Sequence, residues 1–262
     1  MADLDDAYAN GPYIPGADDY PPRWAAEAEA FRTKLGDRAQ LGIPYGPSER
    51  QAYDLFQPET LPKGVMIFVH GGYWLKFDRS YWSHLAAGAL AHGWACVMPS
   101  YDLCPDVRIS DITRQISECV SAVAGDIALP VSLAGHSAGG HLVARLLAPG
   151  MLADDLIARV AHVVPISPVA DLRPLLRTSM NDDFRMDEAA AAAESPVLQP
   201  RPDVPVTVWV GADERPSFLD QARWLAEAWQ AEHVEVPGKH HFDVIDALAD
   251  PESDLVMKLT SG

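Results

Sequence analysis

Residues 135–139 read Gly-His-Ser-Ala-Gly, and this pentapeptide constrains the fold more than any other part of the chain. A short apolar segment with strand character, residues 129–134, precedes it, and apolar residues at helical spacing follow it from His141. A serine on a sharp turn from strand to helix is strained, and its flanking residues must be glycines because a Cβ there would collide with a neighbouring element. The pattern predicts a nucleophile elbow rather than an ordinary glycine-rich turn, with the Ser137 hydroxyl exposed at the carboxyl end of a sheet.

Apolar runs with strand character alternate with helical patterns along most of the chain. Alternation of this kind predicts an α/β fold with a mostly parallel central sheet and helices on both faces. The predicted strands cover residues 39–43, 51–56, 65–69, 94–98, 131–134, 160–166, 204–210 and 233–236. The predicted helices cover residues 23–35, 81–92, 109–127, 218–231 and 242–248, with another beginning at residue 138.

The chain shows no internal repeat, no linker and no second hydrophobic core, which predicts a single domain over residues 1–262. Residues 1–21 are rich in Asp, Pro, Gly and Tyr, and we expect an irregular N-terminal segment there. Residues 168–202 contain several prolines and an alanine run at 189–193. This stretch predicts a short helical insertion over the strand ends, resembling a lid.

Charge and composition exclude several classes of protein. The formal net charge is −17, which disfavours nucleic acid, anionic membranes and strongly anionic substrates as partners. No apolar run approaches the ~20 residues that span a bilayer, and the acidic start of the chain does not resemble a secretory signal. Three cysteines without CxxC spacing favour a reducing cytoplasm. The oligomeric state stays open, with a homodimer among the expectations.

A serine nucleophile needs a base, and two histidines follow the last predicted strand. In sheets that carry a nucleophile elbow, the partners follow in the chain order serine, acid, histidine. We favour His241 as the base because the apolar Phe242 can anchor the next helix while the imidazole points back toward Ser137. His240 is the alternative base.

Two adjacent carboxylates are candidates for the acid that orients this base. The acid commonly lies three residues after a glycine that ends the preceding strand, and counting from Gly211 selects Glu214. Asp213 stays an alternative because aspartate is the commoner residue in this role.

The segment His70-Gly71-Gly72-Tyr73-Trp74 follows a buried strand and predicts an oxyanion hole. The backbone N–H groups of Gly71, Gly72 and Ala138 can surround a developing negative charge. His70 lacks carboxylate or histidine partners at ligand spacing, so the sequence predicts no metal, and it indicates no cofactor.

Aromatic residues close to these motifs predict the wall of a substrate pocket. We expect Tyr73, Trp74 and Tyr101 to line it, with Phe77 as a further candidate. Trp82 lies on an early helical turn, which favours an ordinary core position.

These motifs together resemble a known family. The elbow with His-Gly-Gly resembles the α/β-hydrolase superfamily, in the branch of the hormone-sensitive-lipase-like esterases. Residues 70–74 are similar to the HGGxW motif of the kynurenine formamidases (arylformamidases), and the resemblance extends over roughly residues 45–250. It implies an α/β-hydrolase fold, places the acid at Glu214 and the base at His241, and implies hydrolysis of N-formylkynurenine to formate and kynurenine in tryptophan breakdown.

The sequence thus predicts a serine hydrolase that cleaves a small ester or N-formyl amide through an acyl-enzyme. The expected partner is a small-molecule acyl substrate. A general short-chain carboxylesterase is the alternative within the same class. A hydrolase-fold binding protein without catalysis is the alternative from another class, although the serine, the histidine and both acid candidates are present.

Overall fold

The computed structural model describes residues 3–125 and 128–261, and their strands form one eight-stranded sheet. The order is β1-β2-β4-β3-β5-β6-β7-β8. β2 runs antiparallel to both of its neighbours, and all other pairs are parallel, which confirms the predicted mostly parallel sheet. The strands are β1 Ala39–Pro44, β2 Ala52–Phe56, β3 Val65–Val69, β4 Ala95–Pro99, β5 Val131–His136, β6 Val160–Ile166, β7 Thr207–Gly211 and β8 Glu232–Val236.

Helices cover both faces of this sheet. Alternate side chains of β3 show this, because Val65 and Ile67 belong to one buried cluster and Met66 and Phe68 to another. Helices α4, α5 and α9 contribute to the first cluster, and α2, α3 and α10 to the second. The helices are α1 Asp3–Ala7, α2 Tyr20–Leu35, α3 Ala87–Ala91, α4 Ile109–Gly125, α5 Ala138–Arg145, α6 Asp154–Ile157, α7 Asn181–Phe184, α8 Glu188–Ala193, α9 Pro216–Trp229 and α10 Asp254–Leu259.

Two predicted helices differ from those observed. The helix expected over 81–92 is divided into two 3-10 turns, Arg79–Tyr81 and Ser83–Ala86, which are followed by α3. The Asp78 side chain caps the first of these turns by accepting from the Ser80 N–H. The one expected over 242–248 is a 3-10 segment, Val244–Ala249. Helix α10, which no sequence pattern predicted, begins after Ser253, whose hydroxyl accepts from the Val256 N–H.

The strand expected over 204–210 is shorter at its start. β7 begins at Thr207, and before it Val206 makes only an isolated bridge to Val163. Pro205 has no N–H to donate to a ladder, which accounts for the late start. The expected end of α4 at residue 127 lies outside the described residues, as do residues 1, 2 and 262 of the predicted domain.

The N-terminal segment is more ordered than its composition predicts. The expectation of an irregular segment over 1–21 is wrong for the described part, which contains α1, 3-10 turns at Gly11–Tyr13 and Ala17–Asp19, and the start of α2. We call residues 3–19 the N-terminal strap. The segment 168–202 contains 3-10 turns at Arg173–Arg177 and Pro196–Leu198 around α7 and α8.

Within residues 3–125 and 128–261, no helix is both long enough and apolar enough to cross a bilayer. Cys96, Cys104 and Cys119 are buried free thiols.

Candidate active site

The turn between β5 and α5 holds the candidate nucleophile. Ser137 has φ 56° and ψ −114°, in a region that residues with a Cβ rarely adopt, and it is the residue directly before α5. Its backbone N–H donates to Ile166 O at 2.8 Å, which ties the turn to the end of β6. The predicted strand–turn–helix elbow is therefore present, with its strain concentrated at the serine.

The two outer glycines of the pentapeptide allow close contacts around this turn. A Cβ on Gly135 would lie 2.1 Å from Gly139 O, and a Cβ on Gly139 would lie 2.0 Å from Val69 O. Both distances are far below van der Waals contact, so α5 could not sit this close to β5 and β3 with any other residue. This is the collision that the sequence pattern predicts.

Glu214 and His241 come together from the loops after β7 and β8. His241 Nδ1 lies 2.6 Å from Glu214 Oε2, and both side chains are almost fully buried. The carboxylate can only accept, so the imidazole donates its Nδ1–H and keeps the lone pair on Nε2. This is the tautomer that a general base requires.

The two alternative residues lie elsewhere. Asp213 is exposed, and its backbone N–H donates to Lys239 O. His240 is half-buried, with Nε2 3.0 Å from the Tyr20 hydroxyl and Nδ1 3.2 Å from Asp243 Oδ1. Neither is paired with Glu214 or His241, so the geometry favours Glu214 and His241 among the candidates.

His136, the second residue of the pentapeptide, supports the histidine loop. Its Nε2–H donates to His241 O at 2.8 Å, and the two imidazole rings lie 4.6 Å apart. Burial holds the pKa of His136 well below its ordinary value, so this ring stays neutral beside His241. The sequence analysis assigned no role to His136.

Ser167 is a second residue that the sequence analysis missed. It follows β6 with φ 47°, and its Oγ donates to Glu214 Oε1. The Gly211 N–H donates to the same oxygen at 2.9 Å. Glu214 therefore has both oxygens engaged, which holds the carboxylate toward His241, and Ser167 is a positioning residue for it.

Ser167→Ala and Ser167→Gly are expected to lower kcat about tenfold, because each removes one donor to a buried carboxylate. Since glycine tolerates the positive φ and alanine does not, Ser167→Gly should be more stable than Ser167→Ala by ~1 kcal/mol. Steady-state kinetics and thermal denaturation of both variants check this. Activity that follows stability, with Ser167→Gly close to the unmodified protein, would contradict the positioning role.

The loop after β3 lies against the elbow, as the oxyanion prediction requires. A Cβ on Gly71 would lie 2.9 Å from the Ser137 Cβ, so this backbone passes directly beside the serine. Gly72 has φ +111°, and Tyr73 and Trp74 also have positive φ. Among the described residues, the N–H groups of Gly71, Gly72 and Ala138 have no hydrogen-bond acceptor, which leaves them available to an oxyanion.

The buried ring of His70 stabilises this loop. Its Nδ1–H donates to Gly71 O at 2.7 Å, and its ring stacks on Tyr101 at 4.4 Å. Burial lowers the pKa of His70 to about 4, so the ring is neutral at physiological pH. In the part of the chain that the structure describes, no three His, Cys, Asp or Glu side chains cluster to hold a metal ion.

A cavity of about 500 Å³ opens over these groups and has an aromatic wall. Ser137, His241, Gly71 and Gly72 line one side of it. The aromatic rings pack on one another, with the Trp24 ring 4.8 Å from Trp82, 5.6 Å from Phe242 and 6.1 Å from Phe77. The aromatic residues that line the cavity are Tyr8, Trp24, Tyr73, Phe77, Trp82 and Phe242.

The predicted pocket residues are corrected in part. Tyr73 and Phe77 line the cavity, but the expectation that Trp74 and Tyr101 line it is wrong. The Trp74 ring packs inward against His141 and Phe184, and Tyr101 is buried under the loop, where its hydroxyl donates to His70 O. Trp82, expected in the core, is nearly buried but also lines the cavity.

The N-terminal strap contributes much of the cavity lining. Eight of its residues line the cavity, whereas the insertion at 168–202 contributes Ser179 and Met180. The strap residues are Asp5, Tyr8, Ala9, Asn10, Gly11, Pro12, Ala17 and Asp18.

Comparison with known proteins agrees with this fold. A family model described as the alpha/beta hydrolase fold matches residues 66–245, and the chain belongs to this family. It is similar to the kynurenine formamidase of Salmo salar, with 28% identity over 84% of this chain and 80% of the relative. It is also similar to the kynurenine formamidase of Drosophila melanogaster, with 29% identity over 81% and 78% of the two chains.

A solved structure from Silicibacter sp. TM1040 resembles the protein over nearly its full length. The TM-score is 0.98 and the identity 63%, over 99% of this chain and 100% of the other, and that protein was assigned provisionally as a thioesterase. The chain is thus an enzyme of the α/β-hydrolase family, in the branch that contains the kynurenine formamidases.

Proposed function

We propose that the protein hydrolyses small N-formyl aryl amides through a serine acyl-enzyme. The observation that carries the proposal is the position of Ser137 and His241 in one cavity with an aromatic wall. An aryl leaving group fits such a wall, because rings pack edge to face on other rings. A formyl group is the smallest acyl group.

In the proposed mechanism, His241 Nε2 takes the proton of the Ser137 hydroxyl as Oγ bonds to the carbonyl carbon. The N–H groups of Gly71, Gly72 and Ala138 hold the oxyanion. The C–N bond then breaks, and His241 returns the proton to the leaving amine. A water molecule gives a proton to His241 and attacks the carbonyl carbon of the formyl ester. The bond between this carbon and Ser137 Oγ then breaks, and His241 passes the proton to Oγ, which releases formate and restores Ser137. Glu214 keeps the His241 tautomer and stabilises the imidazolium.

Similarity to the kynurenine formamidases supports N-formylkynurenine as the substrate and tryptophan breakdown as the setting. The leaving amine of such a substrate is attached to a ring, which stabilises it as a leaving group.

A short-chain ester or thioester is the second candidate substrate. It is favoured by the 63% identity to the Silicibacter protein with its provisional thioesterase assignment. The same serine chemistry would serve, with an alcohol or thiol as the leaving group.

The test is steady-state hydrolysis of N-formylkynurenine, p-nitrophenyl acetate, p-nitrophenyl butyrate and acetyl-coenzyme A, with Ser137→Ala as the blank. We expect kcat/KM for N-formylkynurenine of ~10⁴ M⁻¹s⁻¹ or more, well above the values for the esters and the thioester. A negligible rate on the formamide beside fast turnover of an ester or of the thioester would overturn the formamidase proposal.

We further propose that the enzyme acts in the cytoplasm. The three buried free thiols support this, since a reducing compartment keeps cysteines unpaired. Fractionation of cells that express the protein tests the location, and recovery outside the cytoplasm would contradict it.

A further inference from the structure

The N-terminal strap is anchored firmly enough to position a side chain for recognition. The Tyr73 hydroxyl donates to Tyr8 O at 2.6 Å, and Gln221 Nε2 donates to the Tyr8 hydroxyl at 2.9 Å. The Ser179 N–H donates to Asp5 Oδ1 at 2.7 Å. These bonds join the strap to the loop after β3, to α9 and to the insertion, so the wall that it forms is a fixed part of the cavity.

Asn10 is a buried polar residue on this wall whose side-chain oxygen has no hydrogen-bond partner within residues 3–125 and 128–261. It is 7% exposed and lines the cavity. Asn10 directly precedes the 3-10 turn at Gly11–Tyr13, but its side chain does not cap this turn. A buried amide without a partner destabilises the folded protein. Such a group therefore needs an explanation, and a bound ligand can supply one.

Two other cavity residues, Trp24 and Trp82, have buried indole N–H groups without an acceptor among the described residues, but an indole can only donate. The remaining polar side chains of the lining that could accept a hydrogen bond are engaged or exposed. The Tyr73 hydroxyl, the Asp5 carboxylate and His136 Nε2 each have a partner in the protein. Asp18 and Lys76 are exposed to solvent. Asn10 is thus a buried polar side chain, apart from the reacting groups, whose Oδ1 is free to accept a hydrogen bond from a ligand.

We propose that Asn10 is a specificity-determining residue, whose amide hydrogen-bonds a polar substituent on the aromatic ring of the leaving group. The inference rests on the proposed function, because it needs the aryl group to occupy the aromatic side of the cavity. The unpartnered atom is the amide oxygen, which accepts a hydrogen bond, so an amino substituent would satisfy it and a carbonyl would not. A cavity with few such groups among apolar walls selects strongly for a substrate that pairs with them.

The test compares Asn10→Leu with the unmodified protein on formanilide and on formanilides with an amino group at ring position 2, 3 or 4. Leucine keeps the size of asparagine and removes its hydrogen bonds. For at least one amino isomer, kcat/KM should fall about tenfold or more, while formanilide changes less than about threefold. Pro15→Ala, on the same strap but outside the cavity, should leave all four rates unchanged.

Thermal denaturation of Asn10→Leu shows that the variant is folded before its rates are compared. Equal losses on all four formanilides, or no loss on any, would overturn the proposal. Phenyl acetate and phenyl acetates with an amino group at ring position 2, 3 or 4 are assayed in parallel. If no formanilide reacts, the proposed formamidase function fails, and the ester series still decides whether Asn10 recognises the ring substituent.

Discussion

Ser137→Ala is expected to lower kcat/KM by ~10⁴-fold or more on every substrate that the enzyme accepts. The variant keeps the cavity and the oxyanion donors but loses the atom that forms the acyl-enzyme, and removal of a nucleophile leaves only the catalysis due to binding and charge stabilisation. Steady-state rates measure the loss. A fluorophosphonate probe should label the unmodified protein at Ser137 and leave the variant unlabelled.

Ser132→Ala provides a matched control in β5, the strand that leads to Ser137. Ser132 is fully buried in β5, and its hydroxyl has no hydrogen-bond partner among the described residues. The substitution removes an identical hydroxyl five residues away, so activity and labelling should be unchanged. Retained turnover in Ser137→Ala, or probe labelling at another residue, would contradict the acyl-enzyme at Ser137.

Glu214→Ala is expected to lower kcat by ~10³–10⁴-fold, the loss typical of removing the acid that orients a catalytic histidine. Without the carboxylate, His241 Nδ1–H loses its buried acceptor, and the ring is free to adopt the wrong tautomer. Rates over a range of substrate concentration would place the loss in kcat rather than in KM.

Asp213→Ala is the comparison that separates the two adjacent carboxylates. Asp213 is exposed and contributes only its backbone N–H to the loop, so its side chain can be removed with less than about a threefold change in rate. A larger loss in Asp213→Ala than in Glu214→Ala would move the acid to Asp213. Equal large losses would mean that the loop as a whole, rather than one carboxylate, controls His241.

The sheet and the elbow were predictable from the sequence because their signals are local. The run at Val65–Val69 is apolar at every position, as a strand buried on both faces must be. Gly135 and Gly139 lie where a neighbouring backbone oxygen comes so close that any Cβ would collide with it. Strain at Ser137 follows from the turn that these glycines enclose.

Contacts between distant parts of the chain could not be predicted in this way. Ser167 reaches Glu214 across 47 positions, and Trp24 and Phe242 meet at the cavity from opposite ends of the chain. Composition alone made the first residues appear irregular, yet Tyr8 is buried because Gln221 and Tyr73 hold it.

The sequence by itself determined the class of fold, the elbow, and the order of serine, acid and histidine, since these depend on backbone conformation and on spacing between neighbours in the chain. Only the tertiary structure showed that Glu214, and not Asp213, lies against His241, that Trp74 packs away from the cavity, and that the N-terminal strap lines the site. The physical reason is that side-chain direction and burial depend on which distant elements pack together. The periodicity of apolar residues in the sequence does not specify those packing partners.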